Sequence, residues 1–157
     1  MKDLSQIGQY AAQETVCLIG PKGKIERVRI LGPVRKRTQV ELASSDARAL
    51  GIPAEVRNSG DHDNTPGLTI VGPAGKVILE KGVILADRHI HMSPEEAKDF
   101  CVRNGEKVKV LVSGPRGGIL DNVTIRVHRD YRLDLHIDTD EANAFQLKQG
   151  DMVELVK

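Results

Sequence analysis

Three stretches of the chain share one pattern of apolar and turn-forming positions. Each begins with a run of apolar or β-branched residues, continues with Gly-Pro-x-Gly, and ends with a second such run; the three stretches start at Val16, Leu68 and Lys109. Gly and Pro supply the backbone angles of a tight reversal, and the flanking runs have the composition of strands. The pattern therefore predicts three β-hairpins, at a spacing typical of a small barrel or sandwich.

A second pattern follows the first and third hairpins. Residues 38–50, TQVELASSDARAL, and residues 133–145, LDLHIDTDEANAF, each consist of an alternating strand, a Ser/Thr/Asp cluster that can cap a helix, and an Ala-containing helical segment. When the two stretches are superimposed, Glu41 falls on His136. This internal similarity indicates that the chain contains two related halves.

Two helix starts carry the spacing of a capping box. Ser93 precedes Glu96 by three residues, and Asp138 precedes Glu141 by the same distance, so each pair can satisfy the free backbone N–H groups of a first helical turn. Pro94 stands at the first helical position, where its missing N–H costs nothing. Both segments then continue through a Gly-acidic turn into another strand.

Together these patterns predict a mainly β fold with short helices. We expect two pseudo-symmetric small β-barrel halves capped by helices, with the first half in residues 1–82 and the second in residues 83–157. Residues 53–67, PAEVRNSGDHDNTPG, have the composition of a polar loop.

Composition and charge exclude several kinds of partner. Lys and Arg number 23 against 22 Asp and Glu, so no overall field attracts nucleic acid or a membrane surface. Two Phe, two Tyr and no Trp leave few platforms for base stacking. The chain lacks an apolar signal core and a membrane-length apolar run, and its two cysteines have no paired spacing. We expect a soluble, cytoplasmic protein.

The candidate chemistry lies in ADRHIHMSPEEA, residues 86–97. In a strand, His89 and His91 point to the same side, roughly 7 Å apart along the chain, and their imidazoles can converge on one ion. His136 lies in the related strand of the repeat, on the face opposite Leu135. Three protein ligands with an open position are typical of a catalytic zinc site. The sequence therefore predicts that these three histidines bind zinc.

The histidines and cysteines of the chain can also be interpreted as residues without a catalytic or metal-binding role. A lone His-x-His pair in a strand is often a chance surface pair. His62 and His128 have charged neighbours and are expected at the surface, with His62 as a bridging ligand the less favoured alternative. Cys17 and Cys101 could form an acyl-enzyme, but neither has a neighbouring histidine in sequence, and buried packing is the favoured role of both.

Four stretches together resemble one known family: LSQIGQYAAQETV, LGPVRKRTQVE, RHIHMSPEEA and DLHIDTDEANA. The chain is similar over essentially its whole length to the phosphate propanoyltransferase (PduL) family of phosphate acyltransferases. This resemblance implies paired β-barrels with a two-zinc site that exchange the coenzyme A (CoA) of a short acyl thioester for phosphate, in either direction. It also implies a link to propanediol degradation, and some relatives work inside bacterial microcompartments.

The resemblance also implies roles for individual residues. One zinc would be bound by His89, His91 and His136, and Glu41 would bind the other zinc. Arg35 would bind phosphate, with Ser59 near the same pocket. The residues expected to contact CoA are Arg29, Leu31 and Asn143.

One difference from the family pattern leaves other functions open. Family members carry an earlier Arg-His-x-His strand that the sequence from Met1 does not contain, so we expect an incomplete first half and an exposed sheet edge that favours pairing of two copies. The alternatives are an inactive relative that binds CoA or metal, and a β-barrel binding module with a structural zinc. Low net charge and few aromatics disfavour nucleic-acid binding by such a module.

Overall fold

A computed structural model describes residues 2–3 and 8–157 of the chain. These residues form thirteen strands and three short helices, which confirms the mainly β fold with short helices. The chain divides into two compact units, Met1–Ala86 and Asp87–Lys157. The boundary expected after residue 82 lies close to this division and, as a domain boundary, stays a prediction.

The described residues of the first unit form eight strands and one helix. The strands, β1 to β8, are Lys2–Asp3, Tyr10–Ile19, Lys24–Gly32, Val40–Leu42, Val56–Arg57, Leu68–Gly72, Gly75–Leu79 and Val83–Ala86, and helix α1 is Ser44–Leu50. Strands β2 and β3 form the first predicted hairpin, and β6 and β7 form the second. They belong to a five-stranded sheet in the order β1-β2-β6-β7, with β3 paired to β2.

A smaller sheet of the first unit has parallel strands. Strand β8 lies between β4 and β5 and runs parallel to both. Strand β5 lies within the segment 53–67, so the prediction of a loop throughout that segment was wrong. Its two residues pair with Leu85 and Ala86 of β8, next to Val83 and Ile84, which are fully buried. Pairing with β8 therefore makes a strand of residues in a polar segment that has no strand pattern of its own.

Helix α1 begins differently from the other two helices. Its N-cap is Ala43, which makes no side-chain hydrogen bond, so the cap expected from the Ser/Asp cluster is wrong for this helix. Ser44 is already the first helical residue. The helix ends at Leu50, and its C-cap is Gly51, whose φ of 71° is a left-handed conformation that glycine adopts without strain.

The second unit contains five strands and two helices. The strands, β9 to β13, are His89–Met92, Lys107–Val112, Gly118–Val127, Asp134–His136 and Glu154–Val156, and the helices are α2, Pro94–Asp99, and α3, Thr139–Phe145. Strands β10 and β11 form the third predicted hairpin. Both predicted capping boxes are confirmed, at Ser93 with Glu96 and at Asp138 with Glu141.

All five strands of this unit form one sheet in the order β12-β9-β11-β10-β13. One face of the sheet packs against a hydrophobic core that includes Met92, Val110 and Ile125, each fully buried. This core fixes which residues of each strand point to the opposite face, where the candidate site lies. In the described residues no helix is longer than seven residues, far short of a membrane span.

Candidate metal centre

Strand β9 lies between β11 and β12, and the register of these strands builds the site. Strand β9 pairs with β12 so that His136 faces His89 across the ladder. On the other side β11 runs parallel to β9, with Ile125 beside Ile90 and Arg126 beside His91. Because alternate residues point to opposite faces, the apolar residues enter the core and the histidines share the other face.

The three predicted histidines meet on this face. Each of His89, His91 and His136 offers one ring nitrogen, and these three nitrogens lie within 4.8 Å of one another. The ring centroids of His89 and His136 are 4.9 Å apart with the rings nearly parallel, and those of His91 and His136 are 4.4 Å apart. We call these three residues the histidine triad. The predicted clustering of residues from two distant segments is confirmed.

Burial keeps two members of the triad neutral. It lowers the pKa of His89 to about 4, with the positive charge of Arg126 acting in the same direction. Burial also lowers the pKa of His91 to about 3, and the other two histidines contribute further. A neutral imidazole keeps a lone pair for a metal ion at neutral pH. The donor set therefore suits zinc or a similar divalent cation, which binds imidazole nitrogen.

These pKa values predict that the metal-free protein loses stability as the pH falls. The unfolded chain protonates these imidazoles near pH 6.5, whereas the folded protein protonates them only near pH 4 and pH 3. The unfolded state thus binds more protons in this window, and the free energy of unfolding decreases as pH falls below about 6.5. Urea unfolding with a chelator present, repeated from neutral to acid pH, measures the slope.

A double variant, His89→Asn with His91→Asn, is the control for this pH dependence. It removes the two groups with lowered pKa and should flatten the slope between pH 6.5 and pH 4. Parallel pH profiles for the wild type and the double variant would contradict the prediction.

Other side chains border the triad. The ring of Tyr131 stacks on His91 at a centroid distance of 3.8 Å. Asp134 faces His91 across the ladder, and its Oδ2 lies 3.6 Å from Nε2 of His136. Arg126 occupies the position beside His91 on β11. The face therefore combines three groups that could hold a metal ion with a cation that favours an anionic ligand. The alternation of residues in β11 did not reveal that β11 pairs with β9 and so brings Arg126 beside His91.

A compact hydrogen-bonded group stands next to His89. Nζ of Lys107 donates to Asp87 Oδ2 at 2.7 Å and to Thr124 Oγ1 at 2.6 Å, and the Thr124 hydroxyl donates to the same Asp87 oxygen at 2.6 Å. Burial alone would raise the pKa of Asp87, but the hydrogen bonds from Lys107 and Thr124 lower the pKa overall. The backbone carbonyl of Asp87 lies 2.8 Å from Nδ1 of His89.

In the first unit, Gln39 connects two of the predicted site residues. Its Nε2 donates to Glu41 Oε1 at 2.7 Å and to Ser59 Oγ at 2.9 Å, and its Oε1 accepts from the backbone N–H of Gly60 and lies 2.9 Å from Nε2 of His62. Glu41 and Ser59 are thus close together although they are far apart in sequence. Gln39 was not predicted, because a polar residue before a short strand has no distinctive signal.

His62 corrects one of the sequence-based expectations. It was expected at the surface, but only 5% of it is exposed. The loop folds back so that the ring meets Gln39 and the His62 carbonyl accepts from the Thr65 hydroxyl at 2.8 Å. His128, in contrast, is exposed as predicted.

The remaining predicted residues lie at exposed positions. Arg29 and Leu31 are both on β3, and Arg35 follows this strand. Asn143 is exposed on α3, the helix that begins three residues after His136. Their accessibility is compatible with ligand contacts, and the roles of these residues stay predictions.

The two cysteines differ in exposure. Cys17 lies in β2 and is partly buried, whereas Cys101 is exposed just after α2. The expectation of a buried Cys101 was wrong because α2 ends before it, and the backbone there turns outward with a φ of 53°. Both cysteines are free.

Comparisons with known proteins identify relatives of this chain. The family model described as phosphate propanoyltransferase matches residues 1–148. A phosphate propanoyltransferase of Thermotoga maritima is 55% identical over 158 residues, which cover 100% of this chain and 75% of the relative. The corresponding protein of Rhodobacter capsulatus is 53% identical and covers 100% and 73%. That of Salmonella typhimurium is 54% identical over 144 residues, 91% of this chain and 69% of the relative.

The mainly β fold and the three clustered imidazoles on one sheet face define a protein with a site that could hold a metal ion. The matches identify the particular family: the chain belongs to the phosphate propanoyltransferase family and is an acyltransferase.

Proposed function

We propose that this protein is a zinc-dependent phosphate acyltransferase. It would convert a short-chain acyl-CoA and phosphate into an acyl phosphate and CoA, and would also catalyse the reverse reaction. The histidine triad is the observation that supports this proposal most strongly, because three imidazoles that each offer a ring nitrogen within 4.8 Å of the others form an open donor set. The names of the relatives supply the reaction class.

The triad would hold the metal ion through ring nitrogens of His89, His91 and His136. When bound, zinc supplies positive charge that offsets the charge of phosphate and polarises a thioester carbonyl. Glu41 would contribute to a second metal site in the first unit. Its carboxylate is held by the Gln39 amide at 2.7 Å, which restricts its orientation without neutralising its charge.

Arginine side chains would bind the phosphate groups of the substrates. Arg35 would hold inorganic phosphate, because a planar guanidinium donates to two phosphate oxygens at once. The Ser59 hydroxyl would donate a hydrogen bond in the same phosphate pocket. Residues Arg29, Leu31 and Asn143 would contact CoA. The segment from Lys22 to Arg37, with seven basic residues and one acid, provides a favourable field for its phosphates.

Two further side chains, Tyr131 and Arg126, would border the reaction site beside the triad. Tyr131 covers one face of His91 through ring stacking, and Arg126 on the neighbouring strand places positive charge on the same sheet face. An anion that forms on the substrate carbonyl during attack is stabilised by a fixed cation in a site of low polarity. Arg126 would therefore stabilise the transition state of attack on the thioester carbonyl.

The test uses propanoyl-CoA and phosphate with release of the CoA thiol as the readout. We expect phosphate-dependent release by the purified protein, at least one zinc per chain, loss of activity after chelation and recovery with added zinc. Phosphate-dependent release that persists in protein freed of metal would contradict zinc dependence. Absence of release by fully zinc-loaded protein would favour the inactive metal-binding relative.

The family resemblance also supports proposals about location, biological role and association of copies. We propose a cytoplasmic location, or the lumen of a bacterial microcompartment, a role in propanediol degradation, and pairing of two copies.

A further inference from the structure

The tautomer of His89 is determined by the backbone. Nδ1 of this ring lies 2.8 Å from the carbonyl oxygen of Asp87. A carbonyl oxygen only accepts hydrogen bonds, so Nδ1 must carry the proton. The lone pair of the neutral ring is then on Nε2, which is left for a metal ion.

Asp87 lies outside the strands, so the position of its carbonyl is not fixed by strand pairing of its own. Asp87 and Arg88 form the link between β8 and β9. This link is attached to β11 by a hydrogen bond of 3.0 Å from the Thr124 N–H to the Arg88 carbonyl. Thr124 is also the residue that faces His89 across the parallel ladder.

Side chains complete the attachment. Lys107 donates to Asp87 at 2.7 Å, to Thr124 at 2.6 Å and to the Asn122 carbonyl at 3.4 Å, so each of its three ammonium protons has an acceptor. The Thr124 hydroxyl donates to Asp87 at 2.6 Å. We call Asp87, Lys107 and Thr124 the positioning triangle.

The triangle differs from an ordinary surface ion pair. The Asp87 side chain is only 16% exposed and Thr124 is buried at 8%, whereas the Lys107 side chain is 49% exposed. Exposed ion pairs contribute little to stability, but Lys107 donates short, charge-assisted hydrogen bonds to two groups that are themselves largely buried, and such bonds hold a defined geometry. The three residues come from three different segments of the chain and meet beside His89. There they can hold the Asp87 carbonyl, which lies 2.8 Å from Nδ1 of His89, in one position.

We propose that Asp87, Lys107 and Thr124 are positioning residues that fix the Asp87 carbonyl, and through it the tautomer and orientation in which His89 presents Nε2 to a divalent cation. This inference rests on the metal site of the proposed function. Mutation of a residue that orients a metal-binding histidine typically weakens metal affinity by about 10- to 100-fold.

The experiment compares Thr124→Val and Lys107→Met with the wild type. Thr124→Val keeps the shape of the side chain and removes the hydroxyl. Lys109→Met is the matched control, because Lys109 is an exposed lysine two residues further along β10. Thr124→Ser restores the hydroxyl and should recover wild-type behaviour. Lys107→Met tests the triangle independently if Thr124→Val folds poorly.

Two readouts separate positioning from a purely structural role. The dissociation constant for Co²⁺, measured by chelator competition and the visible spectrum, should rise about 10- to 100-fold in both variants and stay within about threefold in the two controls. Nitrogen-15 chemical shifts of the histidine rings in the metal-free protein should show a single tautomer of His89 in the wild type and a mixture in the variants.

The outcomes distinguish the inference from the proposed function. Wild-type cobalt affinity and an unchanged His89 tautomer in Thr124→Val and Lys107→Met would overturn the positioning role. If the wild type itself failed to bind cobalt, the proposed metal site would be wrong, and the tautomer measurement would still decide whether the triangle controls the ring.

Discussion

Replacing His136 with alanine is expected to abolish tight zinc binding and to reduce phosphate-dependent CoA release by on the order of 100-fold or more. His136 is the member of the triad that comes from β12, so its loss leaves two ring nitrogens, both on β9. Two protein ligands are fewer than the three that catalytic zinc sites typically use. Metal content after dialysis and the initial rate of thiol release are the measurements.

His128→Ala is the matched control for this variant. His128 is an exposed histidine of the same unit, outside the triad, and its replacement should leave both zinc content and rate unchanged. Unfolding in urea checks that His136→Ala remains folded. Full zinc retention and a wild-type rate in a folded His136→Ala protein would rule out the triad as the metal site.

Replacing Arg35 with alanine is expected to raise the KM for phosphate by about 10- to 100-fold. A hydrogen bond to a charged group contributes about 1.5–3 kcal/mol, and a guanidinium that donates to two phosphate oxygens lies at the upper end. Initial rates over a range of phosphate concentrations at saturating acyl-CoA give KM and kcat separately. Arg35→Lys should recover only part of the affinity, since lysine lacks the planar pair of donors.

Arg37→Ala controls for the loss of one positive charge from the same exposed segment. It should change the KM for phosphate far less than Arg35→Ala does. Equal effects of the two variants would mean that the segment acts through its overall charge, and an unchanged KM in Arg35→Ala would remove Arg35 from the phosphate site.

The local elements of this fold follow from short-range signals. The Gly-Pro-x-Gly turns predict β2–β3, β6–β7 and β10–β11, because each hairpin is determined by a turn and its two flanking runs. The capping boxes of α2 and α3 involve residues three apart and are equally visible. Helix α1 shows the limit, since its polar residues lie within the helix and Ala43 is the N-cap.

Pairings between distant strands have no such signal. Strand β5 forms only because β8 offers hydrogen-bonding groups beside a buried core. Gln39 and the positioning triangle likewise depend on contacts between residues about twenty or more positions apart. A polar side chain in a loop or at a strand edge is compatible with many partners, and the sequence does not state which one the fold supplies.

The sequence by itself determined the hairpins, two of the helix starts, the family and the three histidines that could share a metal ion. Only the tertiary structure decided that His136 faces His89 and that Arg126 lies beside His91. The physical reason is the core on the other face of the sheet: burial of Ile90, Leu135 and Ile125 sets the register of three strands, and a shift of one residue would turn the histidines into the core.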